Sequence, residues 1–174
     1  MLQEDEWWME QWGTYQKQSL ANRCRITGAN GSITLSVPLV AGREQKTLLK
    51  NVRIDNGQRW PVQHLRTIKS CYGKAPFFDH YFPVVENLLK QPYTWLIDLD
   101  NAILYLLLPF LRLPPDIRFT QSFQSSLVSR KANPVFDIKP YLQVFHDRTG
   151  FVPGLSILDA LFCLGPQVID YLRS

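Results

Sequence analysis

The sequence predicts a mixed α+β fold in one domain, with a largely antiparallel or mixed sheet around an Asn-Gly hairpin and helices packed against it. Three observations carry that expectation. Asn30-Gly31 lies between two short segments, the second of which alternates apolar and hydroxylated residues, a hairpin signature. Pro61–Tyr72 and the stretch after Ala75-Pro76 repeat apolar residues at helical spacing. The 174 residues, 45% hydrophobic and 20% charged, suffice for one core and are too apolar for disorder.

The elements follow in order. Residues 6–15 are rich in aromatics with no secure period, although Trp8, Trp12 and Tyr15 fit one helical face. Cys24–Thr27 and Ile33–Val37 are the hairpin arms, with Asn30-Gly31 supplying the positive φ angles of a type I′ turn. Ile33, Leu35 and Val37 make one face of the second arm, and Pro38 closes it. After a polar loop at Ala41–Lys46, Leu48–Asp55 reads as a third strand with Val52 and Ile54 inward.

Asp55-Asn56-Gly57 is a turn, and Pro61 suits the first turn of a helix running to Tyr72, with Val62, Leu65, Ile68 and Tyr72 as its buried stripe. Gly73 stops it. In the next helix Phe78, Tyr81, Phe82, Val85, Leu88 and Leu89 share a face, and Pro83 predicts a kink or restart. Thr94 is placed to cap a third helix, with Asp98 and Asp100 near its positive end. Residues 101–111 are apolar nearly all round but fall short of the ~20 residues of a membrane span, so they read as a central core helix. Ile117–Phe123 is a weak strand, and about 124–140 a long surface loop. Ser156–Asp159 resembles a capping box that opens a helix carrying Leu158, Leu161 and Phe162 inward, ended by Gly165-Pro166. A last short helix presents Val168, Ile169 and Leu172.

Charge is unevenly spread. Residues 1–10 hold four acids and no Lys or Arg, the reverse of a signal peptide's basic start. Residues 11–78 hold eleven Lys and Arg against two acids, and residues 79–174 eight against nine. The middle block attracts an anion: phosphate, carboxylate or nucleic acid. No recognised nucleic-acid module accompanies it, which argues against nucleic acid as the partner. Cys24, Cys71 and Cys163, odd in number and without a Cys-x-x-Cys pair, fit a reducing cytoplasm. No Gly-rich phosphate loop, dinucleotide fingerprint, Gly-x-Ser-x-Gly or His-Glu-x-x-His occurs, and His64, His80 and His146 lack metal-ligand spacing. The sequence thus names no cofactor and no metal.

Two constellations remain. Lys17, Asn22, Arg23 and Arg25 stand at the start of the hairpin. Arg offers a planar fork for phosphate or carboxylate, Lys a compact charge, and an amide can fix hydroxyls. In an extended strand Arg23 and Arg25 face one way, Cys24 and Ile26 the other. The same charges would also serve an edge strand by discouraging aggregation. The second constellation is Trp60–Tyr72, where His64, Ile68 and Tyr72 at i, i+4, i+8 put a histidine at the buried margin. It is either a proton-transfer group or a histidine hydrogen-bonded to backbone.

At these positions the chain resembles the WbqC-like family of bacterial proteins. The resembling residues are Tyr15-x-Lys17-Gln18, Asn22–Ile26, Asn30-Gly31-x-x-x-Leu35-Ser36-Val37-Pro38, Trp60-x3-His64-x3-Ile68-x3-Tyr72 and Ala75-Pro76-Phe77-Phe78-x-x-Tyr81. Gly150–Pro153, Leu155–Asp159 and Gly165-Pro166 extend the resemblance to about residues 15–172. Family members usually begin with a Tyr-Leu-Pro segment where this chain has Met1–Trp12, so residues 1–14 are an atypical N-terminal segment.

The resemblance implies surface-polysaccharide or O-antigen (lipopolysaccharide) biosynthesis. It implies a cytoplasmic enzyme, a transferase or modifying enzyme acting on an activated sugar, or else a non-catalytic sugar- or anion-binding or scaffolding protein of that pathway. The expected substrate is an anionic small molecule, a sugar phosphate or nucleotide-sugar. Lys17, Asn22, Arg23 and Arg25 would hold its phosphate or carboxylate, and His64 would be the acid/base group with Tyr72 and Lys69 nearby. Trp60 or Phe77 would stack on a sugar or base.

Overall fold

The computed structural model describes residues 7–16, 19–40, 47–114, 116–124 and 139–173. The fold is mixed α+β, as the sequence predicts. Strand β1 (Trp7–Met9) leads to a 3-10 turn at Leu20–Asn22 and a hairpin of β2 (Arg23–Gly28) and β3 (Gly31–Ser36). Helices α1 (Trp60–Tyr72), α2 (Phe78–Leu89) and α3 (Leu96–Phe110) precede β4 (Ile117–Phe119). The chain ends with α4 (His146–Thr149), α5 (Ile157–Leu164) and α6 (Val168–Arg173).

Among the described residues the strands form two small pairs rather than one sheet. β2 and β3 are antiparallel in the register Arg23↔Ser36 to Gly28↔Gly31, whereas β1 and β4 are parallel. The aromatic N-terminal segment therefore contributes a strand where a helical face had been one option. Its polar neighbours fasten it to the chain after β4: the Trp12 indole and the Gln11 amide both donate to the Thr120 carbonyl, at 2.8 and 3.0 Å.

The hairpin forms where expected, but its turn sits one residue earlier. Ala29 and Asn30 make the turn, and Gly31 alone takes the left-handed region, at φ 109°. A type I′ turn would need Asn30 at positive φ as well, and Arg112 is the only non-glycine there among the described residues. β2 alternates as predicted, with Arg23 and Arg25 exposed and Ile26 buried.

Leu48–Asp55 is not a strand. It forms a 3-10 turn (Leu49–Asn51) and isolated bridges, Leu39↔Ile54 and Arg53↔Trp95 among them, while Val52 and Ile54 are buried as the pattern required. Short β-branched positions report burial more surely than they report ladder pairing.

α1 begins at Trp60, and its buried residues are Trp60, Leu65, Ile68, Cys71 and Tyr72; Val62 is 45% exposed. The helix has no side-chain N-cap, so burial rather than capping holds it. Pro83 breaks nothing: α2 runs through it, and Phe78, Tyr81, Val85 and Leu89 stay buried. Trp95, not Thr94, is the residue before α3, and it makes no side-chain cap bond. α3 is less central than its composition implies, with Tyr105 exposed and residues 101–107 only partly covered. Most of the predicted loop at 124–140 lies outside the described residues.

Ser156 caps α5, its hydroxyl accepting from the Leu158 N–H at 3.4 Å. Asp159 does not close a capping box. Its carboxylate is fully buried and accepts from Tyr72 (2.7 Å), Tyr141 (2.6 Å) and Gln143 (3.0 Å). Tyr72 in turn accepts from the Thr27 N–H at 3.0 Å, so one acid ties α5 to α1, the hairpin and the 141–143 segment. Around it Ile26, Ile68, Tyr72, Leu96, Leu161, Phe162 and Val168 form one continuous core. Each fully buried large apolar side chain of this kind contributes roughly 1.5–3 kcal/mol.

Candidate functional site

Hydrogen bonds bring the start of the hairpin onto α1. The Asn22 amide donates to the Val37 carbonyl at 2.8 Å and accepts from the Tyr15 hydroxyl at 2.9 Å. These bonds fix the chain just before Arg23. From the other side, the His64 Nε2–H donates to the Ser36 carbonyl at 3.2 Å. A carbonyl only accepts, so neutral His64 carries its proton on Nε2 and keeps the Nδ1 lone pair.

Between these elements lies a cavity of about 250 Å³. Leu35 and Val37 line it from the hairpin, Ile68 from α1, and Val85, Leu88 and Leu89 from α2. Leu99, Ile103, Leu106 and Leu107 line it from α3, and Ile157 and Leu158 from α5. The charged or strongly polar side chains on its wall are Asn22, Arg23, His64, Asp100 and Ser156. Arg23 is exposed, so it stands where the cavity meets solvent.

Burial sets the protonation of two of these groups. It pushes the Asp100 carboxyl up to about 7, and no hydrogen-bond partner faces that carboxyl among the described residues. Burial lowers His64 from its ordinary value, against the Ser36 carbonyl that favours the imidazolium. The histidine is thus neutral at neutral pH, while the acid keeps its proton well above the pH at which a solvated carboxylate loses it. Two titratable groups whose environments move them toward neutrality from opposite sides are the combination that proton transfer needs.

The residues singled out in the sequence part company here. Asn22, Arg23, Trp60 and His64 share the cavity. Asn22 spends its amide on Val37 and Tyr15, and Trp60 is 3% exposed with its ring edge-on to His64 at 5.2 Å, which leaves little face for stacking. Arg25 lies off the cavity and donates to the Ser32 hydroxyl at 3.1 Å. Lys69 is exposed, and Tyr72 is fully buried on Asp159 and Thr27. Helix geometry explains both: five residues past His64 is about 140° around the helix, and eight is about 80° around and two turns on. Phe77 packs its ring over Gly165, and its N–H donates to the Phe162 carbonyl at 3.1 Å. Lys17 lies outside the described residues.

Asp100 is the group that sequence reasoning missed, read there only as a charge near the positive end of a helix. Its spacing held the signal. Leu96, Leu99, Asp100, Ile103 and Leu107 fall on one face of α3, and Asp98, on the other, is exposed.

Burial disfavours the thiolate form of all three cysteines. Burial raises Cys71, holds the Cys24 thiol up at about 11, and with the nearby Asp159 charge holds Cys163 at about 12. Among the described residues no three His, Cys, Asp or Glu side chains assemble to hold a metal ion, and no helix is long and apolar enough to cross a membrane.

Fold and site together define a helix-rich α+β protein that encloses a small, largely aliphatic pocket with a cationic mouth. Residues 1–144 match the WbqC-like protein family, and the chain belongs to that family. The match begins at residue 1, so the atypical Met1–Trp12 segment falls within it, as do Arg23, His64 and Asp100; Ser156 and Asp159 lie beyond its end. No curated protein and no solved structure matches the chain.

Proposed function

We propose that this protein is a cytoplasmic enzyme of surface-polysaccharide or O-antigen assembly that modifies, or transfers a group onto, an activated sugar. One observation carries the reading: Arg23 from the hairpin and His64 from α1 reach the same cavity. Membership of the WbqC-like family supports the polysaccharide-related part of it.

Arg23, at the mouth, pairs with the phosphate or carboxylate of the sugar substrate. His64 receives the proton of the attacking group on Nδ1, and the Ser36 carbonyl, already bonded to Nε2–H, steadies the imidazolium that forms. Asp100, sharing the cavity and held by burial far above the ordinary carboxylate range, returns a proton to the leaving side.

The test is turnover of a nucleotide-sugar by the purified chain in a panel of group donors. A placed acid/base group contributes ~10²–10⁴ in rate, so His64→Ala lowers turnover at least tenfold with the melting temperature held. Arg23→Ala raises KM instead. Turnover unchanged in His64→Ala removes that residue from the role. The rival, a non-catalytic binding or scaffolding protein of the same pathway, draws support from Tyr72 and Lys69 lying away from His64. Nucleotide-sugar binding without turnover, and equal in wild type and His64→Ala, selects it.

A further inference from the structure

We infer that the cavity seats an alkyl or acyl chain of the ligand, while the ligand's anionic end stays outside on Arg23. The inference rests on the reading above for the cavity being the ligand site, and adds what enters it.

The walls argue against a sugar ring inside. A hydroxyl-rich ring needs a partner for each hydroxyl; Val85, Leu88, Leu89, Ile103, Leu106 and Leu107 offer none, and His64, Asp100 and Ser156 are too few to serve a whole ring. Unpaired polar groups in such surroundings are costly, whereas methylenes gain from burial there. Charge placement sorts the ligand end to end. Among the described residues Arg23 is the one Lys or Arg on the wall and is exposed, and the acid Asp100 on α3 repels an anion from the interior once ionised. At the rim Leu20 is 61% exposed, an apolar surface that an emerging chain would cover.

Size fits the same class. A 150 Å³ apolar cavity holds benzene, so about 250 Å³ holds roughly ten carbons. The sugar moiety then lies at the mouth beside Arg23, and its link to the chain lies within the cavity, on whose wall His64 and Asp100 stand.

The experiment is calorimetric titration of the full chain with straight-chain carboxylates from butyrate to dodecanoate. Each added pair of methylenes should tighten binding by roughly fifteenfold, levelling near decanoate. Arg23→Ala should weaken every member by a similar factor and leave the chain-length dependence intact. Ile103→Trp, or the milder Leu106→Phe, fills the cavity and should flatten the series at an unchanged or higher melting temperature. A flat series in the wild type overturns the inference, as does full chain-length dependence in both filled, folded variants. Nucleotide-sugar binding lost in Arg23→Ala, alongside a flat carboxylate series, sinks the chain and keeps the sugar reading. A steep series with no nucleotide-sugar binding does the opposite.

Discussion

Replacing Asp100 with Asn keeps the shape of the side chain and removes its titration. In the folded protein burial holds the carboxyl at about 7 instead of its ordinary 3.8. Between those values the folded chain keeps a proton that the unfolded chain has released. Stability therefore falls as pH rises, by about 1.4 kcal/mol per unit. Over roughly three units the loss is at most about 4 kcal/mol, because water at the open mouth reduces it. The stabilisation is fully present below pH 4 and gone once pH has passed through about 7. His64 works in the other direction: its folded value is lowered, so the unfolded chain takes up a proton first and stability rises with pH through that window. Subtracting the Asp100→Asn curve from the wild-type curve cancels the histidine. The assay is urea unfolding of both proteins at pH 4, 5, 6, 7 and 8, with m-values checked for constancy. The two should match at pH 4, and the variant should be more stable by several kcal/mol at pH 8. A difference independent of pH would show that the carboxyl is solvated and that the cavity is not the apolar space described.

Three further outcomes follow from the packing. Tyr72→Phe removes the donor to buried Asp159 and the acceptor for the Thr27 N–H, so unfolding experiments should show a loss of about 2–4 kcal/mol, with ligand affinity unchanged; lost affinity at full stability would put Tyr72 in the site. Gly165 has φ 57°, and a Cβ there would meet the Phe77 ring at 2.6 Å, so Gly165→Ala should destabilise by about 2–4 kcal/mol, read from the urea midpoint. The native thiols should resist a disulfide reagent at pH 7.5 and all three should react once urea unfolds the chain, since burial raises Cys24, Cys71 and Cys163 alike.

Local chemistry was legible where one interaction decides the outcome. The Asn30-Gly31 pair places the hairpin, and the apolar spacing of α1 and α2 places both helices. Where tertiary partners decide, the pattern misleads. Val52 and Ile54 alternate like a strand, yet their neighbours are the Leu39 and Trp95 bridges and no ladder forms. Ser156-x-x-Asp159 has the spacing of a capping box, but Tyr72 and Tyr141 lie far away in sequence and claim the carboxylate. A hydroxyl on a distant helix leaves no trace in a local window.

The site divides along the same line. Arg23 and His64 were legible because polar side chains at strand and helix margins stand out, and the His64–Ser36 hydrogen bond brings the two margins together. The cavity between them was not. Leu, Ile and Val at helical spacing describe a filled core and the wall of an empty one equally well, so the apolar run of α3 reads as core. What separates the two is the acid in the stripe. A carboxyl centred among Leu96, Leu99, Ile103 and Leu107 cannot be packed dry without a partner, and no cation shares its helix face. Such a group survives in a fold only beside space that water or a ligand can enter. Asp100 is therefore the residue through which the sequence itself marks this helix as the lining of a pocket.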